Sequence, residues 1–126
     1  MRRTLAAALL ACCGGAVFAV VAADAAQEID GLIGELGRSG CEFERNGSWH
    51  DAKRAQAHLQ RKYEWLRKRD LAGTAEQFID RAASRSSVSD KPYRVHCPGK
   101  PVVDSATGFR GVLQHLRSND PSRVKR

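Results

Sequence analysis

The strongest constraint on this fold is a pair of cysteines, Cys41 and Cys97, that stand far apart in the sequence. The other two cysteines lie in the N-terminal apolar run, and we expect them to be removed with it. In an oxidising compartment an even number of cysteines is usually bridged, and neither residue belongs to a Cys-x-x-Cys redox motif. We therefore predict a Cys41–Cys97 disulfide, whose long loop would stabilise the fold by about 4 kcal/mol.

The oxidising compartment is inferred from the N-terminus, which has the form of an export signal. Two arginines precede an apolar run over residues 5–21, and small residues suit cleavage after Ala23 or Ala25. The run is shorter than the roughly 20 residues that span a membrane. We predict a signal peptide over residues 1–25 and a periplasmic or secreted product. A lipoprotein attached through Cys12 is the less favoured alternative, because it leaves a very short apolar segment before the cysteine.

The remaining chain has the size and charge of one small basic domain. We expect a single monomeric domain over residues 26–118, followed by a basic flexible tail over residues 119–126. Loss of the two N-terminal arginines lowers the net charge from +7 to +5, or to +6 if Asp24 is also removed. This excess favours an anionic envelope polymer, nucleic acid or another periplasmic protein as partner, although many such proteins only carry a solvated basic surface. Nothing indicates a cofactor.

The first half of the domain predicts a helix and then a hairpin. Apolar residues recur at helical spacing over residues 26–38. Residues 41–45 alternate between apolar and polar, as in a half-buried strand. Asn46-Gly47 follows, and both residues tolerate the positive φ of a tight hairpin turn. Residues 48–50 would form the short returning strand.

The second half predicts three more helices and one more strand. Residues 52–69 form the longest amphipathic pattern, with Asp51 as its N-cap. Thr74 and Gln77 have the spacing of a capping box before a second helix. A serine-rich loop over residues 84–91, called the serine loop below, precedes an alternating strand over residues 92–97. Apolar residues from Phe109 onward mark the last helix.

The predicted disulfide orders these strands. If Cys41 and Cys97 are cross-strand neighbours, Phe43 lies opposite Val95 and Arg45 opposite Tyr93. The first strand then pairs with both others, which gives a three-stranded antiparallel sheet in the order 2-1-3. With about four helices on its apolar face, the fold class is α+β.

A series of short motifs resembles a known family. They are residues 45–47 (RNG), His58-Leu59 with Lys62, residues 74–80 (TAEQFID) and residues 86–93 (SSVSDKPY). In this order they resemble the YfeK-like family of small exported proteins from Gram-negative bacteria, a domain of unknown function. The resemblance implies the fold and a periplasmic location, but it implies no catalytic residue. The family tends to place Gly before Lys-Pro-Tyr, where this chain has Asp90, a residue type that tolerates positive φ.

The longest helix carries the first part of a candidate binding surface. At 100° per residue, six of its cationic and aromatic side chains share about one quadrant, and Lys62 lies at the edge of that quadrant. Such a strip can bind a sugar-phosphate or an anionic glycan, with the cations meeting charge and the indole stacking on a ring. The alternative is a solvated face with the tryptophan packed in the interior. The residues are Arg54, His58, Arg61, Lys62, Trp65, Lys68 and Arg69.

The serine-rich loop supplies the second part. Its hydroxyls, with the lysine and tyrosine that follow, can form a polar rim for a ligand. Alternatively, they satisfy backbone groups in the turn between helix and strand. The residues are Ser86, Ser87, Ser89, Lys91 and Tyr93.

Enzymatic and metal-binding alternatives have less support in the residues. A hydrolase or transferase would use His58 with a loop serine, but the loop has neither Ser-x-x-Lys nor Gly-x-Ser-x-Gly. Glu76 and Asp80 lie one turn apart, where we expect them to pair with Arg81 or to cap a neighbour rather than to support glycosidase chemistry. The spacing of the histidines and cysteines matches no metal-binding motif. The one conceivable metal site is a structural zinc held by both cysteines and two histidines.

We therefore favour a non-catalytic accessory or binding domain, with an inhibitor or chaperone-like partner of another exported protein as a further alternative. An exposed apolar patch around a tryptophan would indicate such a partner.

Overall fold

The computed structural model describes residues 16–121, with side chains from Asp24 onward. Most of the predicted signal peptide and the end of the predicted tail lie outside these residues. The described elements are, in chain order, α1 (Ala16–Arg38), β1 (Glu42–Arg45), β2 (Ser48–His50), α2 (Ala52–Arg67), α3 (Ala75–Ala82), β3 (Arg94–His96), β4 (Val103–Asp104) and α4 (Ser105–Ser118). The predicted α+β class is confirmed. Helix α1 begins ten residues before the predicted start, and α2 ends two residues before the predicted end.

The sheet has the predicted order with one strand added. Its order is β2-β1-β3-β4, and all pairs are antiparallel. Phe43 pairs with Val95, as the disulfide argument requires. The prediction of three strands was wrong because β4 has two residues, too few for an alternating pattern, and pairs Val103 with Val95.

The predicted disulfide between Cys41 and Cys97 is present. It joins the residue just before β1 to the residue just after β3. Cys41 is buried, so the link closes one end of the sheet against the core. Its partners are 56 positions apart in sequence, and a loop of this length gives the link its stabilising effect.

The core lies between the four helices and one face of the sheet. Ile29 and Leu32 of α1 are fully buried, as are Phe78 and Ile79 of α3. The ring of Tyr63 on α2 meets Phe78 edge-on, with the ring centroids 5.7 Å apart. This burial explains why the weakly helical α1 sequence, with its three glycines, is stable in the fold. No helix among residues 16–121 is both long enough and apolar enough to cross a membrane.

The β1–β2 turn and the N-cap of α3 confirm two predictions made from the sequence, and the capping box differs from its prediction in one bond. Asn46 and Gly47 both have positive φ, at 50° and 82°, as the hairpin turn between β1 and β2 requires. Thr74 caps α3 by accepting from the backbone N–H of Gln77. The Gln77 side chain reaches back one residue further than a capping box predicts, because it accepts from the N–H of Gly73.

One arginine connects three helices at the periphery of the core. Arg117 of α4 donates to both carboxylate oxygens of Glu28 on α1, at 2.6 and 3.0 Å, and also pairs with Glu76 of α3. The hydrogen bonds from Arg117 to these carboxylates raise the pKa of the guanidinium. Of the two carboxylates expected to pair with Arg81 or to cap a neighbour, Asp80 pairs with Arg110 and Glu76 pairs with Arg117.

The disulfide predicts a large stability loss when it is removed. Cys41→Ser should expose one free thiol at Cys97 and lower the free energy of unfolding by about 4 kcal/mol. That loss should lower the melting temperature of a domain of this size by more than about 10 °C. Thermal melts with a thiol assay measure both. The Cys41→Ser/Cys97→Ser protein serves as control, because a reductant should lower the melting temperature of the wild type but not of this variant. An unchanged melting curve for Cys41→Ser would contradict a structural role.

Asp90 predicts a second, smaller effect. Its φ is 60°, in the left-handed region where glycine has no steric cost, and its ion pair with Arg85 is exposed. Asp90→Gly should leave stability unchanged or raise it by up to about 1 kcal/mol, whereas Asp90→Val should lower it by about 1–2 kcal/mol. Urea unfolding measures both differences. Equal stability of the two variants would contradict a turn that depends on positive φ.

Candidate functional site

An open basic cleft lies between α2, α3 and the serine loop. Its volume is about 450 Å³. In the described part of the chain its lining contains no carboxylate. The lining residues are His58, Arg61, Lys62, Trp65, Leu66, Arg81 and Ser87. The cleft therefore presents positive charge, one hydroxyl and one indole to a ligand.

Trp65 lies at the rim of this cleft and is 53% exposed. The guanidinium carbon of Arg69 lies 3.9 Å from the centre of its ring. Arg69 also donates to the Trp65 carbonyl oxygen at 2.8 Å, so this stacking is anchored to the end of α2. Arg69 thus covers one face of the indole, which is held on the surface beside cations.

His58, which lines the cleft, connects α2 to β1 and to the residue just before β3. Arg45 of β1 contacts His58 Nδ1 at 2.5 Å, and His58 Nε2 lies 3.4 Å from the Tyr93 hydroxyl. Because a guanidinium can only donate, Nδ1 must be the acceptor, which leaves the imidazole proton on Nε2. The Tyr93 hydroxyl also accepts from Lys62 at 3.2 Å.

The electrostatics of this network are those of a crowded, part-buried cationic site. Burial lowers the pKa of His58 to about 4, with Arg45, Lys62 and Arg61 adding repulsion. Burial and Arg45 also lower the pKa of Lys62, while burial raises the pKa of Tyr93. At neutral pH the histidine is therefore uncharged, and the positive charge of the site lies on arginine and lysine side chains.

The serine loop is held by its own hydroxyls. The buried Ser86 hydroxyl accepts from the backbone N–H of Val88 and of Ser89, at 3.2 and 3.3 Å. The Ser89 hydroxyl donates to the Asn46 side-chain oxygen, which ties the loop to the β1–β2 turn. It also accepts from the N–H of Lys91. Ser86 and Ser89 are thus used in shaping the loop, and Ser87 is the loop serine that lines the cleft.

The structure brings together only part of the surface predicted from sequence. His58, Arg61, Lys62, Trp65 and Ser87 line the cleft, and Tyr93 lies under it. Arg54 lies beyond His58, at a second and smaller hollow. Lys68 caps the end of α2 and does not line the cleft, and Lys91 is exposed in the loop.

Two arginines of the site were missed by the sequence analysis. Arg81 lines the cleft from α3, where it donates to the Leu71 carbonyl oxygen at 2.7 Å and has no carboxylate partner among the described residues. Arg45 holds His58 from β1. Neither belongs to a local pattern that indicates binding, because their positions depend on how α3 and β1 pack on α2.

Comparison with known proteins gives two matches. Residues 23–117 match the family described as "Family of unknown function (DUF5329)". The uncharacterized protein YfeK of Salmonella typhimurium (strain LT2) is 49% identical over 51 residues, which cover 40% of this chain and 41% of that relative. The matched segment thus spans less than half of the relative's length. No solved structure matches the chain.

Fold and site together define a small, disulfide-linked α+β domain with one basic cleft beside a part-buried histidine. The chain belongs to the DUF5329 family of unknown function, since the match covers most of its length. Its resemblance to YfeK-like proteins is confirmed.

The uncharged His58 predicts a specific pH dependence. Its pKa is about 4 in the folded protein and about 6.5 in the unfolded chain, so the unfolded state binds more protons between these values. Acidification from pH 6.5 to 4 should therefore destabilise the fold through His58, with no His58 contribution to the change above pH 7. After discounting for the exposed part of the ring, we expect about 2 kcal/mol. Urea unfolding across this pH range measures it.

The control for this effect is His58→Gln, which keeps a polar side chain but cannot titrate. The difference in unfolding free energy between the two proteins should change between pH 6.5 and 4 and stay constant at higher pH. A constant difference over the whole range would show that His58 is not held uncharged.

Proposed function

We propose that this chain is an exported, non-catalytic binding domain of the cell envelope, which holds an anionic polysaccharide in its basic cleft. The observation that supports binding most directly is the lining of the cleft. Arg61, Lys62 and Arg81 supply positive charge with no acidic residue opposite them in the described part of the chain. Electrostatic attraction to an anion is strongest in such a concave, single-sign site.

The exposed indole favours a ligand with rings. Binding of a simple anion does not require an indole on the surface. Trp65 is half exposed, so the fold lacks the free energy that burial of this side chain would contribute. A sugar ring can stack on this side chain while its charged substituents meet the arginines. The predicted signal peptide supports an envelope polymer as the source of such rings.

The described contacts do not support the hydrolase or transferase alternative. Such chemistry needs His58 within hydrogen-bond reach of a serine and a carboxylate. The His58 ring instead contacts Arg45 and Tyr93, and the Ser86 hydroxyl accepts from amides of its own loop. Ser87 lines the same cleft as His58, but among the described residues no hydrogen bond joins the two side chains. We therefore propose binding without catalysis.

The alternative of an inhibitor or chaperone-like partner also has less support. It calls for a contiguous apolar patch around one of the tryptophans. Trp49 is 40% exposed but pairs across the sheet with Glu44, and its ring lies edge-on to His96. Trp65 lies among cations. Both indoles therefore have polar surroundings.

Charge reversal in the cleft tests the proposal. Arg61→Glu/Arg81→Glu should weaken binding to heparin by about five- to thirtyfold, since each lost pairing contributes on the order of 0.5–1 kcal/mol. The matched control is Lys53→Glu/Lys100→Glu, which makes the same change in net charge at exposed positions outside the cleft. Titration calorimetry at fixed salt measures the affinities. Equal weakening in both double variants would mean that binding depends on overall charge and not on the cleft.

A second variant tests the role of the ring. Trp65→Ala should weaken binding to heparin but leave binding to polyphosphate unchanged, because polyphosphate has charge and no rings. Equal effects on both polymers would contradict stacking on a sugar.

A further inference from the structure

The basic surface continues past His58 into a second hollow. This hollow has a volume of about 40 Å³ and lies between α2 and the β1–β2 hairpin. Its floor is apolar, and Arg45, His50 and Arg54 stand around it with His58. Its one acidic residue, Glu44, is held by Arg94 at 2.8 and 3.0 Å, and the hydrogen bonds from Arg94 lower the pKa of that carboxyl.

His58 lines both hollows and forms the ridge between them. The ring is fixed there from two directions, by Arg45 on one side and Tyr93 on the other. The His58 ring is uncharged at neutral pH, so the positive charge of the surface lies on the two groups of cations on either side of it. The two hollows therefore lie along one face of α2, with cations at each end.

The length of this track is set by the helix. Arg54 and Trp65 lie eleven positions apart on α2, which is about 16 Å along the axis at 1.5 Å per residue. That distance exceeds what a monosaccharide or a single phosphate can bridge. A ligand that contacts both ends must be extended and must carry charge at intervals.

We propose that the cleft is one half of a two-subsite track, which binds an extended anionic oligosaccharide across His58 rather than a short anion. This inference rests on the proposed function and adds the length of the ligand and the role of Arg54. In the track, Arg61, Arg81 and Trp65 hold one segment of the ligand. Arg54, at the rim of the small hollow, meets a charged group of the next segment.

A series of heparin oligosaccharides from di- to octasaccharide tests the track by titration calorimetry. Affinity should rise by about tenfold or more between the disaccharide and the length that fills both subsites, because the second segment then binds at high effective concentration. Arg54→Glu should weaken binding of the hexasaccharide about threefold or more and leave the disaccharide unchanged. Arg61→Glu/Arg81→Glu should weaken both.

The control for Arg54→Glu is Lys53→Glu, which reverses the neighbouring exposed charge on a different side of α2. If Lys53→Glu and Arg54→Glu have the same effect on the hexasaccharide, or if the disaccharide binds as tightly as the hexasaccharide, the two-subsite track is wrong. Retention of the wild-type melting temperature shows that each variant is folded.

Failure of the proposed function has a different signature. In that case Arg61→Glu/Arg81→Glu matches Lys53→Glu/Lys100→Glu at every oligosaccharide length. A single-stranded oligonucleotide that binds more tightly than an oligosaccharide of equal charge, with the same dependence on Trp65, would overturn the polysaccharide in favour of nucleic acid.

Discussion

The fold depends on the pairing of β1 with β3, which the Cys41–Cys97 disulfide holds in register. This pairing joins segments about 50 residues apart and places Phe43 beside Val95 on the core face. The Arg94 side chain pairs with Glu44 on the opposite face. A register change of one residue would send Phe43 to solvent and separate the cysteines, so packing, charge and the covalent link all specify the same alignment.

The same pairing assembles the site. β1 contributes Arg45, the residue before β3 is Tyr93, and both meet His58 on α2. The serine loop ends where β3 begins and is tied to the β1–β2 turn by Ser89 and Asn46. Three of the four segments that resemble the YfeK-like family thus converge on one place. The fourth, at the start of α3, supplies the helix cap and core residues that position Arg81.

Local chemistry made most of the fold predictable. The hairpin, the N-caps at Asp51 and Thr74 and the disulfide each depend on a few neighbouring residues or on cysteine count, and each prediction was confirmed. β4 was missed because its two residues form a strand only when β3 is beside them. Of the site, the α2 strip was predictable because it follows helical geometry. Arg81 and Arg45 were not, because tertiary packing alone brings them to that strip.

The position of β1 in the sheet also determines the order in which the chain can fold. Its pairing with β2 is local and can form within microseconds through the Asn46-Gly47 turn. Its pairing with β3 joins residues about 50 positions apart, so it forms later, when the chain has closed that long loop. During that interval β1 presents an unpaired strand edge, the feature through which chains associate wrongly. The charged residues Glu42 and Glu44, which alternate with Cys41 and Phe43, disfavour such association until the native partner arrives.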